Sequence, residues 1–261
     1  MLFMTALLFS ATLLTGCPVN MVTATDETMA SAAAEFGDTI EVRNRSGSID
    51  IRGWEKSEVE VIATRRIDLF YGQFVTPDDP RDFLDDILIE VTETEEGIRI
   101  ETDIPVEWQG SQLVATVHYE IMVPEEAILD IDQDNGSVEV TGILGAVEVD
   151  LANGPVECEH SAGDFNINVN NGSVEITHPA LPAVDAEIDC TVDNGSIALW
   201  LPAESAFDLD ADVELGEITV DTFPLTVEVE GPSASASGTI NGGGADVELL
   251  LDLGEIEIGA I

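Results

Sequence analysis

Four Asn-Gly pairs punctuate the second half of this 261-residue chain, at Asn135-Gly136, Asn153-Gly154, Asn171-Gly172 and Asn194-Gly195, with glycine-to-glycine spacings of 18, 18 and 23 residues. The same positions around each pair are apolar. Two residues after the glycine stand Val138, Val156, Val174 and Ile197, and four after it Val140, Cys158, Ile176 and Leu199. Five before it stand Ile131, Val149, Ile167 and Cys190, and seven before it Leu129, Val147, Phe165 and Ile188. Period-two alternation of this kind turns one face of a strand into a core and the other into solvent. Copies without the asparagine centre on Gly47, Gly216 and Gly254. A single unit of this type has too little apolar surface to bury, so the units must stack.

Asn-Gly favours the positive φ angles of a tight turn, and glycine reaches them without a Cβ clash. All eight residues of the four pairs are therefore read as structural turns. Two arrangements share this register. In an antiparallel β-meander sandwich each pair is a hairpin turn; in a solenoid each pair is a corner and every strand pairs with its equivalent one coil away. The two spacings of 18 favour constant coil length. The expected fold is all-β: a β-solenoid, or right-handed β-helix-like stack of strand-turn-strand repeats, preceded by a less regular β N-terminal part. After residue 16 no extended window keeps an i, i+3, i+4, i+7 apolar pattern.

The first 14 residues are an apolar and small-residue run leading into Leu14-Thr15-Gly16-Cys17. This segment resembles the signal peptide and lipobox of bacterial lipoprotein precursors, and it is shorter than the roughly 20 apolar residues of a spanning helix. The resemblance implies lipidation of Cys17, a membrane partner through the N-terminal lipid, and export to a lipid-anchored position in the cell envelope, the outer one in a Gram-negative cell. The expected organisation is a signal peptide at 1–16, a lipid-anchored tether at 17–37, an irregular β part at 38–127 and the strand-repeat domain at 128–261. Within the irregular part, 70–86 reads as a long loop ending in a short helix.

Formal charge is −45, and it is unevenly placed. All seven arginines and the single lysine lie between Arg43 and Arg99, whereas the 162 residues after Arg99 contain 34 Asp and Glu. Nucleic acid is excluded as a partner, because phosphate neutralisation needs a basic surface. Stacking would align the outward acids in columns: Glu139, Glu157 and Glu175 three residues after the glycine, Asp132 and Asp150 four before it, Asp130 and Glu148 six before it. Like charges one strand apart, at about 4.8 Å, repel by roughly 0.9 kcal/mol in water. Salt screens that repulsion, and Ca²⁺, which takes hard oxygen ligands, would relieve it at Asp130, Asp132, Glu139, Glu148, Asp150, Glu157 and Glu175. No other cofactor is expected.

Cys158 and Cys190 occupy inward positions and read as small core hydrophobes. His160 and His178 both fall six residues after a turn glycine, so a shared corner is expected; His118 reads as structural. The chain contains no Gly-x-Ser-x-Gly, no His-Glu-x-x-His and no glycine-rich phosphate loop followed by lysine. An enzyme is not expected.

The register, with segments such as Asp134-Asn135-Gly136-Ser137-Val138-Glu139-Val140 and Asp252-Leu253-Gly254-Glu255-Ile256-Glu257-Ile258, resembles a bacterial adhesin-like family of β-strand-repeat, domain-of-unknown-function proteins. The resemblance spans about 38–261. It implies a non-catalytic envelope β-solenoid used in adhesion or as a structural surface protein, with a partner on the envelope or cell surface that it does not name. A Ca²⁺- or partner-binding sensing module is the alternative.

Overall fold

A computed structural model describes residues 20–71, 79–105, 112–179 and 186–261. The expected signal peptide and Cys17 lie outside the described residues. In chain order the strands are β1 (Asn20–Ala33), β2 (Thr39–Ser46), β3 (Ile49–Trp54), β4 (Glu58–Tyr71), β5 (Leu88–Glu93), β6 (Gly97–Asp103), β7 (Leu113–Pro124), β8 (Ile128–Asn135) and β9 (Val138–Thr141). They continue as β10 (Val147–Asn153), β11 (Val156–Glu159), β12 (Phe165–Thr177), β13 (Glu187–Leu201), β14 (Phe207–Val220), β15 (Val227–Glu230), β16 (Ser233–Ile240) and β17 (Ala245–Ala260). Of the loop and short helix expected over 70–86, Phe70 and Tyr71 instead end β4, a 3-10 helix spans Pro80–Asp86, and 72–78 lie outside the described residues.

Equivalent residues of successive copies pair in parallel. Ile131, Val149, Ile167, Cys190, Leu249 and Ala211 form one inward column ahead of the glycines. Val138, Val156, Val174, Ile197, Ile256 and Ile218 form another behind them. This is the β-solenoid, and it displaces the meander for the repeat region. Antiparallel pairing is confined to the two ends of the stack, where β1–β4–β7 and β5–β6 close one end and β14–β16–β15 the other.

The Asn-Gly pairs are corners, but not tight reversals. In β12, β13, β14 and β17 the strand runs straight through the glycine. Val169 and Val174 are both buried, five residues apart, so the side-chain alternation flips at the corner. That flip turns the second arm over, and the apolar faces of both arms enclose one interior. The glycine is required because the coils touch there. A β-carbon on Gly195 would lie 1.5 Å from the Gly172 carbonyl oxygen, and one on Gly136 would lie 1.6 Å from that of Gly47. The same contact recurs through Gly47, Gly136, Gly154, Gly172, Gly195, Gly254 and Gly216 in that spatial order.

Three expectations change. The segment 17–37, read as a tether, instead holds β1, which pairs along its whole length with β4. Its sequence lacks alternation because it is an outer strand with Ala24 alone buried among its described side chains. The boundary drawn at 127/128 falls inside a continuous ladder, since β2 and β3 stack directly on β8 and β9. The copies also do not stack in chain order: β17 inserts between β13 and β14, in parallel register with both. The β15–β16 hairpin, laid on the far side of β14, is the excursion that brings the chain back.

Candidate functional site

What the fold presents outward is a set of ladders, beginning at the corner. The asparagines hydrogen-bond to one another from coil to coil. Asn153 Nδ2 donates to Asn135 Oδ1 at 3.2 Å, Asn171 Nδ2 to Asn153 Oδ1 at 3.3 Å, and Asn194 Nδ2 to Asn171 Oδ1 at 3.4 Å. Stacked amides of this kind satisfy each other along the strand-stacking direction. The asparagines therefore serve the ladder, whereas their sequence signal had pointed to turn geometry. Past Asn194 the column continues with Leu253 and Leu215, both half exposed.

The acidic columns form as the spacing predicts. Asp50, Glu139, Glu157 and Glu175 are successive neighbours on the second arm, before Ala198 interrupts them. On the first arm Asp132 adjoins Asp150 and Asp130 adjoins Glu148, after which Asn168 and Asn166 interrupt both rows. Asn168 Nδ2 donates to Asp150 Oδ1 at 3.1 Å, so the amide offsets part of the charge. The core lies between the arms, so Asp130, Asp132, Glu148 and Asp150 face away from Glu139, Glu157 and Glu175. The seven do not form one site. Among the described residues no three His, Cys, Asp or Glu side chains are grouped to hold a metal ion.

Arginines close these rows at the N-terminal end of the stack. Arg43 contacts Asp130 at 2.9 Å and Asp132 at 3.7 Å, Arg99 contacts Glu41 at 2.5 Å, and Arg52 contacts Asp50 at 2.6 Å. Burial favours the neutral acid at Glu41, but Arg99 and Arg43 outweigh it and hold the carboxyl below its usual range. Among the described residues Glu157 has no such cationic partner. Slight burial first, then Glu159, Glu175 and Glu139, push its carboxyl above its ordinary value of 4.5. The folded state thus binds this proton more tightly than the unfolded chain does. The resulting cost is absent at pH values below 4.5 and sets in as pH rises through the folded-state value. Glu157→Gln is expected to stabilise the protein by about 0.5 kcal/mol at pH 7 and low salt, after allowing for solvent screening. Urea melts should show the gain vanish near pH 4 and in about 1 M NaCl; a gain that survives both would exclude charge repulsion as its cause.

The histidines separate. His178 is fully buried, edge-on to Phe165 with centroids 5.9 Å apart, whereas His160, at φ 54°, is exposed. The main chains do meet at one corner, His160 N–H donating to Thr177 O at 3.2 Å, but the left-handed backbone at His160 leaves its side chain exposed while that of His178 enters the core. His118 Nδ1 accepts from the Ser48 backbone N–H at 3.1 Å, a structural role. Cys158 and Cys190 are buried free thiols. Burial, with a smaller contribution from Glu157, pushes the Cys158 thiol up to about 12.

A third feature had no legible sequence signal. At the inward position three residues before the glycine, Asn44 and Gln133 stand where later coils hold Leu151, Val169 and Val192. Asn44 Nδ2 donates to Val117 O at 3.0 Å and to Gln133 Oε1 at 3.2 Å, and Gln133 Nε2 donates to Gly47 O at 2.8 Å. Thr102 Oγ1 donates to Asn44 Oδ1 at 3.1 Å and lies 2.6 Å from the Tyr119 hydroxyl. Burial, moderated by Thr102, pushes that phenol up to about 12.

Parallel in-register coils, a stacked glycine corner and laddered outer faces define a strand-repeat β-solenoid. The chain belongs to the Toastrack DUF4097 family, which it matches over residues 106–259. No curated protein matches it. Among solved structures it is similar to a candidate cell adhesion protein from Clostridium sporogenes, at 11% identity over 91% of this chain and 100% of that one, with a TM-score of 0.42. A candidate adhesin from Bacteroides fragilis aligns at 11% identity over 90% and 97% of the two chains, with a TM-score of 0.30. A candidate lipid binding protein from Parabacteroides distasonis aligns at 12% identity over 90% and 97%, with a TM-score of 0.25.

Proposed function

We propose that the protein is a non-catalytic, lipid-anchored component of the bacterial cell envelope that displays its acidic β-solenoid as a contact surface, in adhesion or as a structural surface element. The observation that carries this reading is the in-register ladder. Neighbouring coils repeat outward Asn, Asp and Glu side chains in short columns at a strand spacing of about 4.8 Å, which makes a periodic array suited to an extended partner. Catalysis needs groups that converge on one reacting atom, and carboxylates held parallel along strands do not converge. Cys17→Ala is expected to shift the protein from the membrane to the soluble fraction, while the unsubstituted protein on intact cells should bind an antibody raised against the solenoid. Membrane retention of the variant would remove the anchor, and antibody access only after lysis would remove the display.

A second reading, a Ca²⁺-responsive module, is favoured by the run Glu139–Glu157–Glu175 and the raised carboxyl of Glu157. Millimolar Ca²⁺ is then expected to raise the melting temperature more than NaCl of matched ionic strength. Equal shifts would reduce the effect to screening.

A further inference from the structure

We infer that the tip where β1 begins and β4 ends is a membrane-facing surface, and that the solenoid lies directly on the lipid bilayer instead of standing off it. This rests on the lipid anchor proposed above. The first observation is reach. β1 starts at Asn20, three residues after Cys17, and three residues span at most about 10 Å. With β1 held to β4 over all 14 of its residues, no slack remains to lift this end away from an acylated Cys17.

The second observation is what the tip exposes. Met21 pairs with Phe70 and Val22 with Leu69, while Tyr71 ends β4 and Val114 lies opposite Asp68. Strand alternation puts Met21, Phe70 and Val114 on the outer face, and Met21 and Val114 are 50% and 46% exposed. Phe70 and Tyr71 are partly exposed, and aromatic rings with one apolar and one wet side suit the headgroup level of a bilayer.

Charge decides which end of the stack faces the membrane. Closest to the tip, Arg66 holds Asp68 at 2.9 Å; farther along β1, Arg65 holds Asp26, beside the exposed carboxylates of Glu27, Asp82, Asp85 and Asp86. Burial tends to neutralise the Asp68 carboxyl, but Arg66 and Thr23 outweigh it and keep it ionised below its usual range. At the opposite end Leu215 and Leu253 are also half exposed, but Glu214, Glu217, Asp252 and Glu255 flank them, and every Lys and Arg of the chain lies far back in the sequence. An anionic bilayer repels that end. Tip-down placement therefore keeps the acidic coils that contain no Lys or Arg farthest from the lipid.

The test uses the full-length protein in membranes from expressing cells. Met21→Cys, Val114→Cys and Leu215→Cys, made one at a time, are labelled with an environment-sensitive fluorophore and exposed to a lipid-attached nitroxide quencher. The buried thiols of Cys158 and Cys190 stay unlabelled. Quenching at Met21→Cys and Val114→Cys is expected to exceed that at Leu215→Cys several-fold. Equal quenching at all three positions, or more at Leu215→Cys, with mass spectrometry showing acylated Cys17, overturns the membrane-facing tip and leaves the anchor standing. Unmodified Cys17 in a soluble protein overturns the anchor itself, and the inference with it.

Discussion

Gly172→Ala is expected to cost at least about 3 kcal/mol, read as a fall in urea midpoint at unchanged slope, or as failure to accumulate folded protein. Its β-carbon would lie 1.7 Å from the Gly154 carbonyl oxygen. That atom belongs to backbone tied into the ladder: Gly154 N–H donates to Asn171 O and Gly136 N–H to Asn153 O, both at 2.9 Å. Neither coil can retreat without breaking bonds to the next, so the strain is shared along the stack instead of relieved by a side-chain rotation. Gly172 is the informative choice because its φ lies outside the left-handed range. The cost then reports the close approach alone. Gly231, at φ 68° with nothing within 4 Å of a β-carbon, supplies the converse case. Gly231→Ala carries only the left-handed backbone cost of about 1 kcal/mol. Similar costs for the two substitutions would mean that the corner relaxes and that coil contact there is not what requires glycine.

Much of this architecture was legible because a packed interior repeats its demands. Val147, Val149, Val156 and Cys158 are all buried, as their places in the period-two pattern require. The columns Glu139–Glu157–Glu175, Asp132–Asp150 and Asp130–Glu148 followed from the same period and from constant coil length. What stayed hidden has a physical reason in each case. Any two copies with the same apolar register can pair, so nothing in the residues of β17 distinguishes a place after β14 from a place between β13 and β14. Asparagine serves both turn geometry and amide ladders, and only the stacked structure separates the two uses. β1 gains its place through main-chain bonds to β4 and ion pairs such as Arg65–Asp26, interactions that leave no alternation to read. The arginine ends of the columns depend on which coil adjoins β8, a contact between Arg43 and Asp130 that is 87 residues apart in sequence.

The buried polar row at the N-terminal end of the stack should behave as one unit. Asn44→Leu is expected to cost about 3 kcal/mol, because it takes the Asn44 amide from both Val117 O and Gln133 Oε1 in a buried position and leaves the Thr102 hydroxyl with Tyr119 alone. Gln133→Leu alone is expected to cost about 2 kcal/mol, since Gly47 O and the Asn44 amide each lose a partner. The double substitution extends the apolar column of Leu151, Val169 and Val192 to the end coil, and leucine there answers leucine. It should therefore cost at least about 1 kcal/mol less than the sum of the singles. Strict additivity in the cycle would show that the two amides act separately. The coupling has a structural consequence beyond its size. Asn44 and Gln133 reach the carbonyls of Val117 and Gly47, which join the antiparallel cap to the first parallel coil. Apolar contacts tolerate a strand sliding by two residues, but these amide bonds do not, so the polar row fixes the register at which the cap meets the stack.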